Sequence, residues 1–381
     1  MASGRRRLGT LLTIRRDLLD VLQVLDSTPS PRGRELAAAL VLRDFCATRW
    51  PTIGWQVQQV GVHGANLVAS RGPGPLLYSH LDTSLDDGPR GLNISDSAVT
   101  GFGLAVTRGP LAAALVAFAS ASSSGTLLLA SSGTHRRGGR AAGVLTWLDA
   151  NPAPSSAIVA KCGPPGVLWS EPGAAYLTVT VRGASGVVML PESSVPAHGL
   201  PARLGAVLAA VSEWCADYVA AAPQIDQAGA AAGLGAISSG RPDKPDLYPS
   251  SVELGLYVVT VPGADVAAMA DDLLDRVRVA VPDGCTATLA VEVVHEAAST
   301  DPTAPLVRAA CAAWRSAFGE PERITGWTGS TDGVVLRGCG IPTVRLGPQP
   351  SRSTDDPQRD VLSVEQLDAF VGVYGELLEV Q

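Results

Sequence analysis

Apolar and polar positions change period several times along the chain. From Leu11 to Leu25 apolar residues recur at helical spacing, and Asp26-Ser27-Thr28-Pro29-Ser30-Pro31 closes that helix. Arg32-Gly33-Arg34-Glu35 opens a second amphipathic helix that runs through Arg49. Trp55 to Val60 alternates as a strand, Gly64 to Ala69 turns into another, and Pro75 to Tyr78 is a continuously apolar strand that ends at His80. A polar loop, residues 84–100, separates it from Gly101 to Pro110. That stretch leads into an Ala/Leu helix with proline near its first turn, where a missing N–H costs nothing. Strand Thr126 to Ala130, helix Ala141 to Leu148 and strand Ala157 to Ala160 continue the alternation. Strands alternating with helices predict a largely parallel sheet covered on both faces.

The rhythm changes near Gly173. Ala175 to Arg182 alternates cleanly, so one of its faces is wet. A helix from Leu200 to Ala221, a Gly/Ala-rich loop to Gly240, strand Ser251 to Val261, helix Ala264 to Val279 and strand Thr286 to Val294 predict a β-α-β-α-β sandwich. From Pro305 the first style returns: a helix to Phe318, a Gly-rich turn through Gly333, strand Ile341 to Leu346 and a last helix from Ser363. The predicted fold class is α/β, a mostly parallel sheet domain formed by residues 1–173 and 296–381. A smaller α+β domain, residues 174–295, is inserted into it.

Composition narrows the function classes. With 381 residues, 46% hydrophobic and 17% charged, the chain supports a full core and is not a disordered one. The net charge of −7, with no Lys/Arg cluster, argues against nucleic acid as a partner. Arg15-Arg16-Asp17 interrupts the apolar stretch that follows the basic start before it forms a signal-peptide core, and no segment is expected to reach membrane-spanning length. The six cysteines lack C-x-x-C spacing, which fits reduced thiols. A cytoplasmic protein with no membrane partner is the expectation. Among 29 basic residues only Lys161 and Lys244 are lysine, so a lysine is an unusual choice for this chain.

The stretch Leu76-Leu77-Tyr78-Ser79-His80-Leu81-Asp82-Thr83 ends an apolar strand in His-x-Asp, a pair able to hold a metal or to move protons. The alternative is a loop histidine beside a turn aspartate. Together with its surroundings the stretch resembles the co-catalytic zinc amidohydrolases and exopeptidases, which include acetylornithine deacetylase, succinyl-diaminopimelate desuccinylase and glutamate carboxypeptidase. The resemblance is carried by Ser30-Pro31-Arg32-Gly33-Arg34-Glu35, Asn66, Ser79-His80-Leu81-Asp82-Thr83, Gly101-x-Gly103 with Gly109, Gly138-Gly139, Gly183, Ser330-Thr331-Asp332-Gly333 and Gly340-Ile341-Pro342-Thr343-Val344. Their order and spacing imply the family's sheet domain with an inserted lid and dimerisation domain, and hence a homodimer.

The chemistry departs from the family. Of the metal ligands that the resemblance implies, His80 remains, whereas the bridging Asp position falls on Val106 and the Glu-Glu pair on His135-Arg136. The next acidic ligand falls on Lys161, and the last His near Asp356. A unit charge pair at about 4 Å is worth roughly 4 kcal/mol at an effective dielectric near 20. Each of the two swaps of an anionic ligand for a cation therefore costs a metal several kcal/mol of site affinity, and no metal or other cofactor is expected. Arg136 and Lys161 then place positive charge where zinc would sit, able to bind a carboxylate or steady an oxyanion. His135 stands where the Glu base stood and Asp82 orients His80.

His198, in a run resembling the family's A-H-x-x-P, is a candidate for the oxyanion role, and a loop histidine is the alternative. The family's substrate-gripping Arg falls on Val259. Cys162 is either a lowered-pKa thiol or a small buried residue, and Lys161 is a candidate for imine formation. Ser330 and Thr331 are read as substrate-binding, and Asp332 as a helix cap or a contact for a substrate amine. The expected function is metal-independent condensation, cyclisation or hydrolysis of a small amino-acid or peptide-derived carboxylate in a biosynthetic setting. The alternatives are a non-catalytic pseudopeptidase that binds a ligand or partner, and a zinc amidohydrolase with remodelled ligands.

Overall fold

The computed structural model describes residues 2–83, 91–133, 141–188, 200–281, 283–356 and 359–380. Two compact units are present. One comprises Met1–Ser170, Ser299–Ile324 and Thr331–Gln381, and the other Glu171–Ala298 with Thr325–Ser330.

The first unit is built on a six-stranded sheet in the spatial order Trp55–Val60, Gly64–Ser70, Thr126–Ala130, Leu76–His80, Ala157–Ala160 and Thr343–Leu346. The first two strands form an antiparallel hairpin and the last four run parallel. Strand residues alternate between two cores, as a period of two requires. Leu77, Leu127, Leu129, Ile158 and Ala160 join the helices Ala2–Ser27, Leu36–Arg49, Gly109–Ser120, Pro305–Phe318 and Val364–Leu378 on one face. Leu76, Tyr78, Leu128, Ala130, Ala157 and Val159 meet helices Ala142–Ala150 and Gly333–Gly338 on the other. Leu127, Leu128 and Leu129 are all fully buried, each contributing about 1.5–3 kcal/mol of transfer free energy. That explains the unbroken apolar run, which a strand covered on both faces requires.

The second unit is a four-stranded antiparallel sheet, ordered Ala231–Ser239, Ser251–Thr260, Gly173–Arg182 and Thr286–His295. Helices Leu200–Ala221 and Val266–Ala280 cover one face, where Val207, Val211, Trp214, Leu273 and Val277 pack on Leu177, Val179, Leu254 and Leu256. Two expectations are corrected here. The Gly/Ala-rich loop contains the edge strand Ala231–Ser239, whose small, mostly exposed residues give no alternation for a sequence reading to detect. The window Leu204–Ala221, with mean hydropathy 1.3, does meet membrane-spanning length and composition. Its buried stripe Val207-Val211-Trp214 recurs every three to four residues and packs on the sheet, as in an amphipathic core helix.

Candidate active site

In the first unit, polar groups gather beyond the carboxyl ends of the parallel strands, where ligands bind in open α/β sheets. Their positions follow from register. Leu76 pairs Ala157, Leu77 pairs Ile158 and Tyr78 pairs Val159. Two more residues along each strand bring His80 opposite Lys161 on the face that Tyr78 and Val159 share. There Lys161 Nζ lies 3.0 Å from His80 Nδ1. His80 is 1% exposed and its ring stands edge-on to Tyr78, with centroids 5.4 Å apart. Lys161 keeps partial exposure.

Two carboxyl groups complete the cluster. Fully buried Asp82 accepts the Gly133 N–H through Oδ1 at 2.9 Å. Asp332, also buried, accepts the Tyr78 hydroxyl through Oδ2. Asp332 stands at the start of helix Gly333–Gly338, but its side chain makes no cap hydrogen bond. The capping expectation is therefore corrected: Tyr78 lies on the same sheet face and captures the carboxyl.

Burial raises the Asp332 carboxyl to about 8, with the neighbouring Asp82 charge adding to it and Tyr78, Lys161 and Arg32 opposing it. Burial, together with the nearby Arg345, lowers the Lys161 amine to about 8 against the pull of Asp82 and Asp332. Near neutral pH the cluster thus holds a carboxyl that stays largely protonated and an amine with an accessible neutral form. Cys162, the candidate low-pKa thiol, is pushed up to about 12 by burial and is not a thiolate nucleophile.

The shell is rigid. A Cβ on Gly133 would stand 2.8 Å from His80 Nδ1, and one on Gly347 would stand 2.2 Å from the Lys161 carbonyl oxygen. Ser131 and Ser132, which lead from strand Thr126–Ala130 to Gly133, are clamped by buried Glu35 and Asn66. Glu35 accepts from Gly33 N–H, Ser132 N–H and the Ser131 hydroxyl, while Asn66 Oδ1 accepts the Ser131 N–H. Ser132 adopts a φ of 55°, the left-handed region.

Of the residues singled out in the sequence, His80, Asp82, Lys161 and Asp332 meet. Thr331 is buried beside Asp332, and its hydroxyl accepts the Gly333 N–H. Ser330 belongs to the second unit, with its hydroxyl 3.2 Å from His295 Nε2. His135, Arg136 and His198 lie outside the described residues. Tyr78, by a hydrogen bond, and Arg345 and Arg32, by their charges, act on this cluster, and the sequence reading did not single them out for it. Parity was the available signal for Tyr78, two residues before His80 and so on the same face.

No family model matches the sequence, and no curated protein does. The mostly parallel sheet with a separate antiparallel α+β unit is the fold of the M20 metallopeptidases and amidohydrolases. Solved structures that share it include an M20 family metallo-carboxypeptidase from Sulfolobus solfataricus, at TM-score 0.71 and 14% identity over 96% of this chain and 98% of that one. A tripeptidase from Staphylococcus aureus matches at TM-score 0.70 and 15% identity, over 96% and 98%. A Bacillus subtilis protein described as a dinuclear metal binding peptidase matches at TM-score 0.63 and 14% identity, over 97% and 99%.

The dinuclear centre that such a fold implies does not fit the donors found here. Among the described residues no group of three or more His, Cys, Asp or Glu is placed to hold a metal ion. The His80 imidazole faces the Lys161 amine instead of a second anionic donor. An ammonium at hydrogen-bond distance from a ligand nitrogen opposes a dication electrostatically.

Proposed function

We propose that the chain is a metal-independent enzyme on a peptidase and amidohydrolase scaffold. It makes or breaks an amide or acyl bond in a small amino-acid or peptide-derived carboxylate. The observation that carries the reading is the Lys161–His80 pair, 3.0 Å apart and flanked by Asp82 and Asp332. In this reading the charged Lys161 amine, within hydrogen-bond reach of His80 Nδ1, steadies a developing oxyanion while the His80 imidazole relays a proton. Protonated Asp332 is the acid for a leaving group. Names given to proteins of this fold, tripeptidase and carboxypeptidase among them, support peptide or amide bonds as the chemistry.

The test pairs metal analysis of protein purified without chelator with a panel of dipeptides and N-acyl amino acids, assayed with and without EDTA. Turnover that resists EDTA and falls at least about a hundredfold in Lys161→Met and in His80→Gln supports the reading. Two equivalents of tightly held zinc, or turnover indifferent to both substitutions, overturns it. Near-complete burial of His80, Asp82 and Asp332 favours a second reading, a non-catalytic ligand-binding protein. That reading predicts saturable binding from the same panel without turnover.

A further inference from the structure

The second unit brings together a hydroxyl and an imidazole that the Lys161–His80 chemistry does not use. Ser330 Oγ lies 3.2 Å from His295 Nε2, within reach for proton transfer between a nucleophile and its base. The other ring nitrogen fixes the direction of that contact. His295 Nδ1 is 3.3 Å from the Glu296 carbonyl oxygen, and a carbonyl only accepts, so Nδ1 carries the hydrogen. Nε2 of the neutral ring is then the acceptor, and the Ser330 hydroxyl donates to it. A general base requires this tautomer.

Both side chains are placed by local backbone features. Val293 pairs Ala175 and His295 pairs Ala174, so Val294 is an extra residue in strand Thr286–His295. The bulge moves His295 from the face that Ala175 shares with Leu177 and Val179, which the helices cover, to the face of Ala174. On the other side Trp327 bridges Ala228, and a Cβ on Gly329 would stand 3.2 Å from Trp327 Nε1, so the indole edge packs against the backbone just before Ser330. Ser330 and His295 both keep partial exposure, which gives a small molecule access. Burial disfavours the charged ring, whereas the Glu296 carbonyl and the buried Glu171 carboxylate favour it. Glu171 thus steadies the imidazolium that forms when the hydroxyl proton is taken, and its charge opposes an acyl group that carries a carboxylate.

We propose that Ser330 is a nucleophile activated by His295, which takes the acyl group of a small uncharged carboxylic ester. This goes beyond the function proposed above and does not rest on Lys161 or His80. The hydroxyl proton moves to Nε2 as Oγ adds to the ester carbonyl carbon. The tetrahedral adduct collapses, the bond from the carbonyl carbon to the alcohol oxygen breaks, and the imidazolium returns its proton to the departing alcohol. Ser330 is left as an ester. Water, deprotonated by the same Nε2, adds to that ester and releases the acid. The sum is ester plus water giving acid plus alcohol, with no electrons gained or lost.

Full-length protein is mixed with p-nitrophenyl acetate or with a fluorophosphonate, whose phosphorus takes the serine oxygen as fluoride leaves, and peptide mapping locates the adduct. Ser239, an exposed serine of the same unit whose hydroxyl donates to the Ser251 carbonyl oxygen, is the internal comparison. The expected result is one adduct per chain on Ser330, formed at least about tenfold faster than on Ser239. His295→Gln should slow it at least about a hundredfold. The hemisuccinate ester, which carries a carboxylate, should react at least about fivefold more slowly than the acetate once each is divided by its rate with free imidazole. Labelling of Ser330 no faster than that of Ser239 overturns the proposal in the unsubstituted protein, without any variant having to fold. Unchanged labelling in His295→Gln overturns the role of the base, and equal normalised rates overturn the choice of an uncharged acyl group. Each of these failures leaves the Lys161–His80 chemistry standing.

Discussion

Tyr78 donates its hydroxyl to Oδ2 of Asp332, joining the middle of a central strand to the start of a helix across 254 positions of sequence. The phenol is fully buried. Tyr78→Phe should therefore leave the carboxyl without this donor and cost about 1–3 kcal/mol of stability. Because this hydrogen bond lowers the Asp332 pKa, the substitution should raise it further. Urea unfolding of Tyr78→Phe, Asp332→Asn and the double variant measures the coupling, and strict additivity would show that the hydrogen bond contributes nothing.

Stability should pass through a minimum near pH 8. Asp332 is raised, so the folded state binds its proton more tightly than the unfolded chain does. The stability from this group is fully present below its unfolded value of 3.8 and is lost as pH rises to about 8. Lys161 is lowered, so its contribution is fully present above 10.5 and is lost as pH falls through about 8. Asp332→Asn should flatten the acid limb and Lys161→Met the alkaline one. Unfolding free energies from pH 5 to 10 check both, and an unchanged profile in either variant would remove its group from the account.

Gly133→Ala should displace the His80 ring and destabilise the fold by about 1–3 kcal/mol, since an added Cβ meets the imidazole at 2.8 Å. Gly347→Ala should cost at least as much, because it meets unyielding backbone at 2.2 Å. Thermal unfolding gives the cost, and the His80 imidazole NMR signals report the displacement. Unshifted signals in Gly133→Ala would contradict the contact.

The clamp on Ser131 and Ser132 makes a fourth case. Glu35→Ala strands a buried hydroxyl and two backbone N–H donors and should cost about 3 kcal/mol or more, whereas Glu35→Gln, which keeps acceptor capacity, should cost roughly 1 kcal/mol. Equal losses in the two variants would mean that packing, not hydrogen bonding, holds the turn.

The strands bearing the site were legible in the sequence because their residues are buried on both faces. Thr126–Ala130 and Ala157–Ala160 read as unbroken apolar runs with the bounds observed. Edge strand Ala231–Ser239 was not legible, since small exposed residues carry no period. His80, Asp82 and Lys161 stood out by residue type and position, but the contact between His80 and Lys161 depends on register across 81 positions, which no local pattern encodes. Asp332 was misread for a related reason: an aspartate before a helix resembles a cap, and the competing hydroxyl of Tyr78 is visible only in three dimensions.

The second unit draws Thr325–Ser330 from a part of the chain remote from its other residues. Within it Trp327 N–H donates to the Gln227 carbonyl, Gly229 N–H donates to the Trp327 carbonyl, and Gly229 lies so close to Gly326 that a Cβ there would stand 2.6 Å from backbone. This unit is therefore not a cassette. A gene fragment cut at residues 171 and 298 would encode a body missing a stitch, and grafting it onto another scaffold would require Trp327 and its flanks to be supplied as a separate piece.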